Sequence, residues 1–293
     1  MDQTWIGLRS VVAMIITDRF VYIHMPKTGG TFTTSVLTRL HSLHRSRPIG
    51  TRILRRAGRR IGFGRGSASP MKYGPITDFE PKHGTCRDIP GPHQHKPILS
   101  TVRNPYDWYV SQYEFGWWRR TFMYHPESHP TPAGYAIEEV LRAFQETHPH
   151  FPDLTFREFV DLCCEAASIY DRPDLPRFGL YTHSFMQFHF VDPAASLGLL
   201  DQRYAESGRY RKDMFNVDFI LTHNLNQQLH DYLLANAYEA EDLKFILTLG
   251  RILPQGLGRS EDQDWNSYYD RDLNFRISRL DAPIFAMFPE FAP

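Results

Sequence analysis

The sequence predicts an α/β protein with a central parallel sheet flanked by helices. Three observations predict it. Short apolar runs at 20–25 and 97–102 are rich in β-branched and aromatic residues and read as buried strands. Each run passes through a polar turn into a stretch whose apolar residues recur at helical spacing. Strands that alternate with helices pair in parallel and are covered on both faces.

Taken in chain order, the stretch Ile6 to Ile16 is apolar but interrupted by Arg9, and reads as an added strand or extension ahead of the core fold. The first strand, Phe20 to Met25, is closed by Pro26. Gly29 and Gly30 permit a tight turn and close approach of a ligand to the backbone. Thr31 or Thr33 can cap the next helix, whose apolar positions are Val36, Leu37, Leu40 and Leu43. A helix start behind glycines offers N–H groups and the positive dipole end to an anion. Lys27 adds a mobile charge there, and Thr28 and Thr31 add hydroxyls.

The second strand, Pro97 to Val102, runs into Arg103. Asn104 suits the N-cap and Pro105 the first helical position. The planar fork of Arg103 can grip a phosphate through two hydrogen bonds, and Ser111 follows two helical turns later. An aromatic stretch comes next, from Trp108 through Tyr113, Phe115, Trp117 and Trp118 to Tyr124. Thr155 and Glu158 have capping-box spacing and open a helix with Phe159, Val160 and Leu162. Asn224 is positioned to cap a helix through Leu225, Leu229, Tyr232 and Leu233, and Leu273, Ile277, Leu280 and Ile284 mark a last helix.

Composition bounds the rest. The 293 residues suit one domain with a substantial core, here read as residues 1–293 with a 1–13 extension. No run of 18 apolar residues occurs, so a membrane span is not expected. Cys86, Cys163 and Cys164 have no metal-site spacing and cannot all pair, which fits a reducing cytoplasm. Formal net charge is zero, yet no Asp or Glu occurs from Phe20 to Thr77. Arginines at 45, 47, 52, 55, 56, 59, 60 and 65, interleaved with glycines, make 45–70 an Arg/Gly-rich insertion: a solvated segment, or a positive flap over an anionic site. No nucleic-acid recognition motif accompanies that charge.

The segments Ile23-His24-Met25-Pro26-Lys27-Thr28-Gly29-Gly30-Thr31 and Arg103-Asn104-Pro105 with Ser111 resemble the two donor-binding motifs of the sulfotransferase superfamily. That superfamily uses 3′-phosphoadenosine 5′-phosphosulfate (PAPS), and the likeness is closest to its carbohydrate-type, bacterial-like branch. Weaker likenesses cover Val217 to Leu225 and Trp265 to Phe288. Two departures stand out: Trp108 where many relatives carry arginine, and His223 where they carry glutamate.

The resemblance implies a P-loop-like sulfotransferase fold and in-line transfer of a sulfuryl group to a hydroxyl or amine, with no metal and with adenosine 3′,5′-bisphosphate as product. Pro26, Lys27, Thr28, Gly29, Gly30, Thr31 and Phe32 would surround the 5′-phosphosulfate, and Lys27 would stabilise charge on the transferring group. Arg103 and Ser111 would hold the 3′-phosphate. Apart from the resemblance, the glycine-bearing loop 253–260 with Arg259 reads either as a second donor clamp over the 3′-phosphate or adenine or as an exposed loop. His83 is the first choice as general base, because carbohydrate-type relatives often carry histidine before the second motif. His24, Asp78, Glu80, His93 and His95 are its rivals.

The aromatics suit sugar rings, lipids and aryl groups alike, so a glycan, a lipid and a small metabolite all stay open as acceptor. Two other classes compete. A P-loop kinase needs G-x-x-x-x-G-K-[S/T], with lysine after the glycines, whereas Lys27 precedes them. A catalytically inactive nucleotide- or glycan-binding module would keep the loops without the turnover.

Overall fold

Hydrophobic burial draws the two predicted strands together at the middle of the molecule. A computed structural model describes residues 14–43, 73–79, 84–121, 132–250, 252 and 264–291. The 1–13 extension and the 45–70 insertion lie outside the described residues. The strands are β1 (Met14–Ile16), β2 (Val21–Ile23), β3 (Ser42–Leu43), β4 (Pro75–Phe79), β5 (Ile98–Val102) and β6 (Val217–Leu221), in the spatial order β3-β4-β1-β2-β5-β6.

Strands β2, β5 and β6 are parallel, with Ile23 opposite Ser100 and Ser100 opposite Phe219. The sheet is nevertheless mixed, not wholly parallel as expected. β1 is antiparallel to both β2 and β4. The reason is the short connection after Ile16. Thr17 N–H donates to the Phe20 carbonyl at 3.0 Å, and the Thr17 hydroxyl accepts from Phe20 N–H at 2.9 Å. So tight a reversal leaves room only for an antiparallel hairpin. Because Met14 pairs with both Ile23 and Phe79, β4 ends at the same sheet edge as β2.

The helices are α1 (Gly30–Leu40), α2 (Pro105–Phe115), α3 (Trp117–Thr121), α4 (Pro132–Thr147), α5 (Phe156–Ser168), α6 (Leu180–His189), α7 (Pro193–Leu197), α8 (Gln202–Glu206), α9 (Leu225–Ala235), α10 (Ala240–Thr248), α11 (Arg271–Leu280) and α12 (Ala282–Met287). Strand alternation divides the core in two at the sheet. Ile15, Tyr22, Leu99 and Ile220 pack with Val36 and Leu37 of α1, Leu229 of α9 and Leu243 of α10. Met14, Ile16, Val21, Ile23 and Ile98 face the other way, onto Cys86, Ile89 and Phe188. A larger aromatic cluster, including Tyr109, Trp118, Phe159, Phe185 and Phe190, joins α2 to α5 and α6. No helix among the described residues is long and apolar enough to cross a membrane.

Three boundaries differ from the sequence expectation. α1 stops at Leu40, and Leu43 passes into β3. Asn224 makes no side-chain cap; a 3-10 turn at Thr222–Asn224 leads into α9 instead. The expected last helix is two helices broken at Asp281, two residues ahead of Pro283.

Asp281 is fully buried and ties that break to α6. Its Oδ1 accepts from the Thr182 N–H at 2.8 Å and the Thr182 hydroxyl at 2.7 Å. Burial pushes its carboxyl from 3.8 up to about 6, against the Thr182 bonds that pull it down. An acid whose folded pKa lies above its unfolded value stabilises the fold fully below the unfolded pKa and loses that contribution as pH rises through the folded one. Asp281→Asn removes this titration. Relative to wild type, the variant should therefore gain about 2 kcal/mol between pH 4 and pH 7, measured by urea unfolding at each pH. A pH-independent difference would show that Asp281 does not carry this titration.

Candidate functional site

The C-terminal ends of β2 and β5 lie side by side, so the two polar turns that follow them meet. Chain geometry at the first turn is specialised. Lys27 has φ 67° and Gly29 φ 99°, both in the left-handed region. Gly29, not Thr31 or Thr33, is the N-cap of α1, with no side chain bonded to the helix end and no acid in the first turn. The N-terminal N–H groups of α1 thus face the turn, with the positive dipole end. Gly30 is required sterically: a Cβ there would sit 1.8 Å from the His24 ring, which is buried and stacked on Tyr22.

The second turn holds the first in place. Arg103 Nη1 donates to the Lys27 carbonyl at 3.0 Å, and its Nε donates to Asp107 at 2.7 Å. Arg103 is only 9% exposed, and its own backbone is pinned through the Tyr181 hydroxyl, which accepts from Arg103 N–H at 3.0 Å and donates to its carbonyl at 2.8 Å. Trp108 Nε1 donates to the Pro26 carbonyl at 3.0 Å, so its indole stitches α2 to the turn. Asn104 caps α2 as expected, accepting from Tyr106 N–H at 2.9 Å.

The strand ends are joined from beneath. The Thr28 hydroxyl donates to the Met25 carbonyl at 2.6 Å and lies 2.8 Å from the Thr101 hydroxyl. From β6, the Thr222 hydroxyl reaches the carbonyls of Thr28, at 3.0 Å, and Val102, at 2.9 Å. Ser100 donates to the Ile23 carbonyl at 2.9 Å and lies 3.0 Å from Nε2 of His189. Burial lowers the His189 pKa to about 3, so its imidazole is neutral here.

Of the residues expected at the site, Pro26, Lys27, Gly29 and Thr31 are half-buried around the turn, and Arg103 stands beside them. Ser111 lies two turns of helix beyond Arg103 on the side that also carries Asp107, by the spacing of four. Thr28 is fully buried with its hydroxyl turned into the fold, so at the turn it presents backbone only. Phe32 packs in the core beneath α1. His83, Glu80 and Arg259 lie outside the described residues. Asp78 pairs with Ile15 in β4. His93 and His95 precede β5 and therefore stand at the sheet edge opposite Lys27 and Arg103; topology removes them as rivals for the base. Trp118 is a core residue that donates to the Pro152 carbonyl at 2.8 Å, while Trp117 is half-buried beside it.

A cavity of about 240 Å³ opens beside this junction, lined by Arg103, Asn104, Asp107, His223, Trp265, Glu290 and Phe291. Trp265 stacks on Tyr106 with centroids 5.3 Å apart. A larger groove, of about 730 Å³, lies against α8, α11 and α12 and touches neither turn. Sequence reasoning did not single out Asp107, Tyr181 or Thr222. Asp107 was within reach, being four residues from Arg103; the other two come from distant segments and gave no local signal. No family model, curated protein or solved structure matches the chain.

The Gly30–His24 contact yields a test of the loop. Gly30→Ala should destabilise the protein by about 1 to 3 kcal/mol. Adding His24→Ala should relieve part of that loss, so that a double-mutant cycle in urea gives a coupling above about 0.5 kcal/mol. Strict additivity would mean the two residues do not meet.

Proposed function

We propose that this protein is a PAPS-dependent sulfotransferase acting on a hydroxyl or amine of a glycan, lipid or small-metabolite acceptor. One observation carries the reading: Arg103 donates to the Lys27 carbonyl, so the two phosphate-type turns form one continuous surface. A 5′-phosphosulfate at the N-terminus of α1 would lie next to a 3′-phosphate at Arg103 and Ser111. A nucleoside carrying phosphates at both positions spans such a surface; ATP has no second phosphate to offer Arg103.

In this reading the bond between sulfur and the bridging oxygen of the phosphosulfate breaks while a new bond forms from the acceptor oxygen or nitrogen to sulfur. The electron pair leaves on the 5′-phosphate of adenosine 3′,5′-bisphosphate, and a general base takes the acceptor proton. Charge on the leaving and peripheral oxygens is met by the Lys27 ammonium and the N–H groups of Gly29, Gly30 and Thr31. These groups supply electrostatic stabilisation without calling on a metal. His83 is the residue we assign as base: β4 delivers the chain to the Lys27 edge four residues before it. Cys86, Cys163 and Cys164 are all free thiols, which fits a reducing compartment such as the cytoplasm.

Arg103→Ala should weaken adenosine 3′,5′-bisphosphate at least tenfold, the loss of a charge-assisted contact of about 1.5 to 3 kcal/mol. Adenosine 5′-monophosphate should weaken much less. Calorimetric titration with both nucleotides decides the matter, and equal losses would sink the 3′-phosphate assignment. His83→Ala should lower sulfuryl transfer by about 10²- to 10⁴-fold with little change in donor affinity. Transfer from labelled PAPS over a panel of hydroxyl acceptors measures it, and an unchanged rate would move the base elsewhere.

A further inference from the structure

Strand β5 ends at Val102, which pairs with Leu221, so the backbone of Arg103 is the first to leave the ladder. A buried N–H and carbonyl left without partners there would be costly. A single side chain from α6 answers both. The Tyr181 hydroxyl accepts from Arg103 N–H at 3.0 Å and donates to the Arg103 carbonyl at 2.8 Å. Tyr181 is fully buried, and burial raises its pKa, so the phenol keeps the proton that it donates.

The brace extends past one residue. The Tyr181 ring stacks on Trp108 with centroids 4.8 Å apart, and the Trp108 indole bonds the Pro26 carbonyl. Tyr181 therefore meets the second turn through its hydroxyl and reaches the first through Trp108. It is anchored in its own helix: the next residue, Thr182, is held through its N–H and its hydroxyl by Asp281.

Two bonds to one backbone fix where the Arg103 side chain starts. From that root Nε reaches Asp107 and Nη1 reaches the Lys27 carbonyl. Among the described residues Nη2 meets no acceptor, and Arg103 lines the small cavity beside the turns. A long side chain loose at its root would have to be ordered each time an anion bound, and a planar fork is sensitive to the direction from which it is presented. Ordering it during folding removes that cost from binding.

We propose that Tyr181 is a positioning residue for Arg103: its hydroxyl closes on both backbone groups of that residue, so that the guanidinium meets a 3′-phosphate from one fixed direction. The proposal rests on the donor-site reading above and adds to it a residue that touches no ligand. Tyr181→Phe keeps the ring and removes only the hydroxyl.

Two measurements test it. In ¹⁵N-labelled protein the Nε–H signal of Arg103, assigned by its loss in Arg103→Lys, should exchange with water at least about tenfold faster in Tyr181→Phe. In calorimetric titrations Tyr181→Phe should weaken adenosine 3′,5′-bisphosphate about three- to tenfold, and adenosine 5′-monophosphate by less than about twofold. A tyrosine that served stability alone would lower resistance to urea and leave the ratio of the two affinities unchanged. Unaltered Nε–H exchange overturns the brace, and equal losses for the two nucleotides overturn the positioning role. Should Tyr181→Phe fail to fold, the wild-type chain decides: the Arg103 amide should exchange as slowly as the amides of β5, and fast exchange there overturns the brace. If the wild-type chain binds no adenosine 3′,5′-bisphosphate, the donor reading fails and the phosphate role with it, while exchange at Arg103 still decides the brace.

Discussion

The hydrogen bond from the Arg103 guanidinium to the Lys27 carbonyl is the constraint around which the candidate site is organised. It closes the gap between two turns that are 76 residues apart in the chain. A guanidinium this buried is costly unless its donors are satisfied. Asp107 and the Lys27 carbonyl satisfy it, and in doing so fix the conformation of a lysine with positive φ. Such a backbone costs of order 1 kcal/mol in a non-glycine residue and persists only where its surroundings enforce it. Here they do so through Arg103 on the Lys27 carbonyl and Trp108 on the Pro26 carbonyl.

Beneath the turns lies a layer of hydroxyls. Thr28, Thr101 and Thr222 link β2, β5 and β6 at the edge where the strands end, and Ser100 with His189 links the same strands to α6. The Thr28, Thr222 and Ser100 hydroxyls each donate to a backbone carbonyl, which is what buried backbone demands. The layer also explains why Thr28 presents its backbone and not its hydroxyl at the turn. A ligand there would rest on a bonded platform that changes little on binding, the arrangement that lets N–H groups act electrostatically without reorganisation.

α2 gives the site its directionality. Its N-terminal end carries the capped Asn104 and the Arg103–Asp107 pair, its middle carries Ser111, and its C-terminal end carries Phe115 against Lys27. The buried side of the same helix supplies Tyr106, Trp108, Tyr109 and Val110 to the aromatic core. Trp108 stacks on Tyr181, whose hydroxyl grips the Arg103 backbone, so core and site are coupled through one pair of rings.

Local chemistry written in the chain was enough to place the strand–turn–helix units, the Asn104 cap, the Thr155–Glu158 capping box and the residues of both turns, because strand propensity, capping and glycine freedom act within a few residues. The Arg103–Asp107 pair was legible in principle, as a spacing of four, but the meeting of Arg103 with the Lys27 carbonyl was not. Whether β1 runs parallel or antiparallel depends on a tight reversal at Thr17 that no apolar pattern announces. The end of α1 at Leu40 and the break at Asp281 follow from which neighbours bury the next side chain. Tyr181, Thr222 and His189 reach the site from segments far along the chain, and only packing brings them there. The sequence could name the groups that would meet an anion; folding alone could set Arg103 on the Lys27 carbonyl and Phe115 under its ammonium, since both contacts are made through space between residues with no local reason to meet.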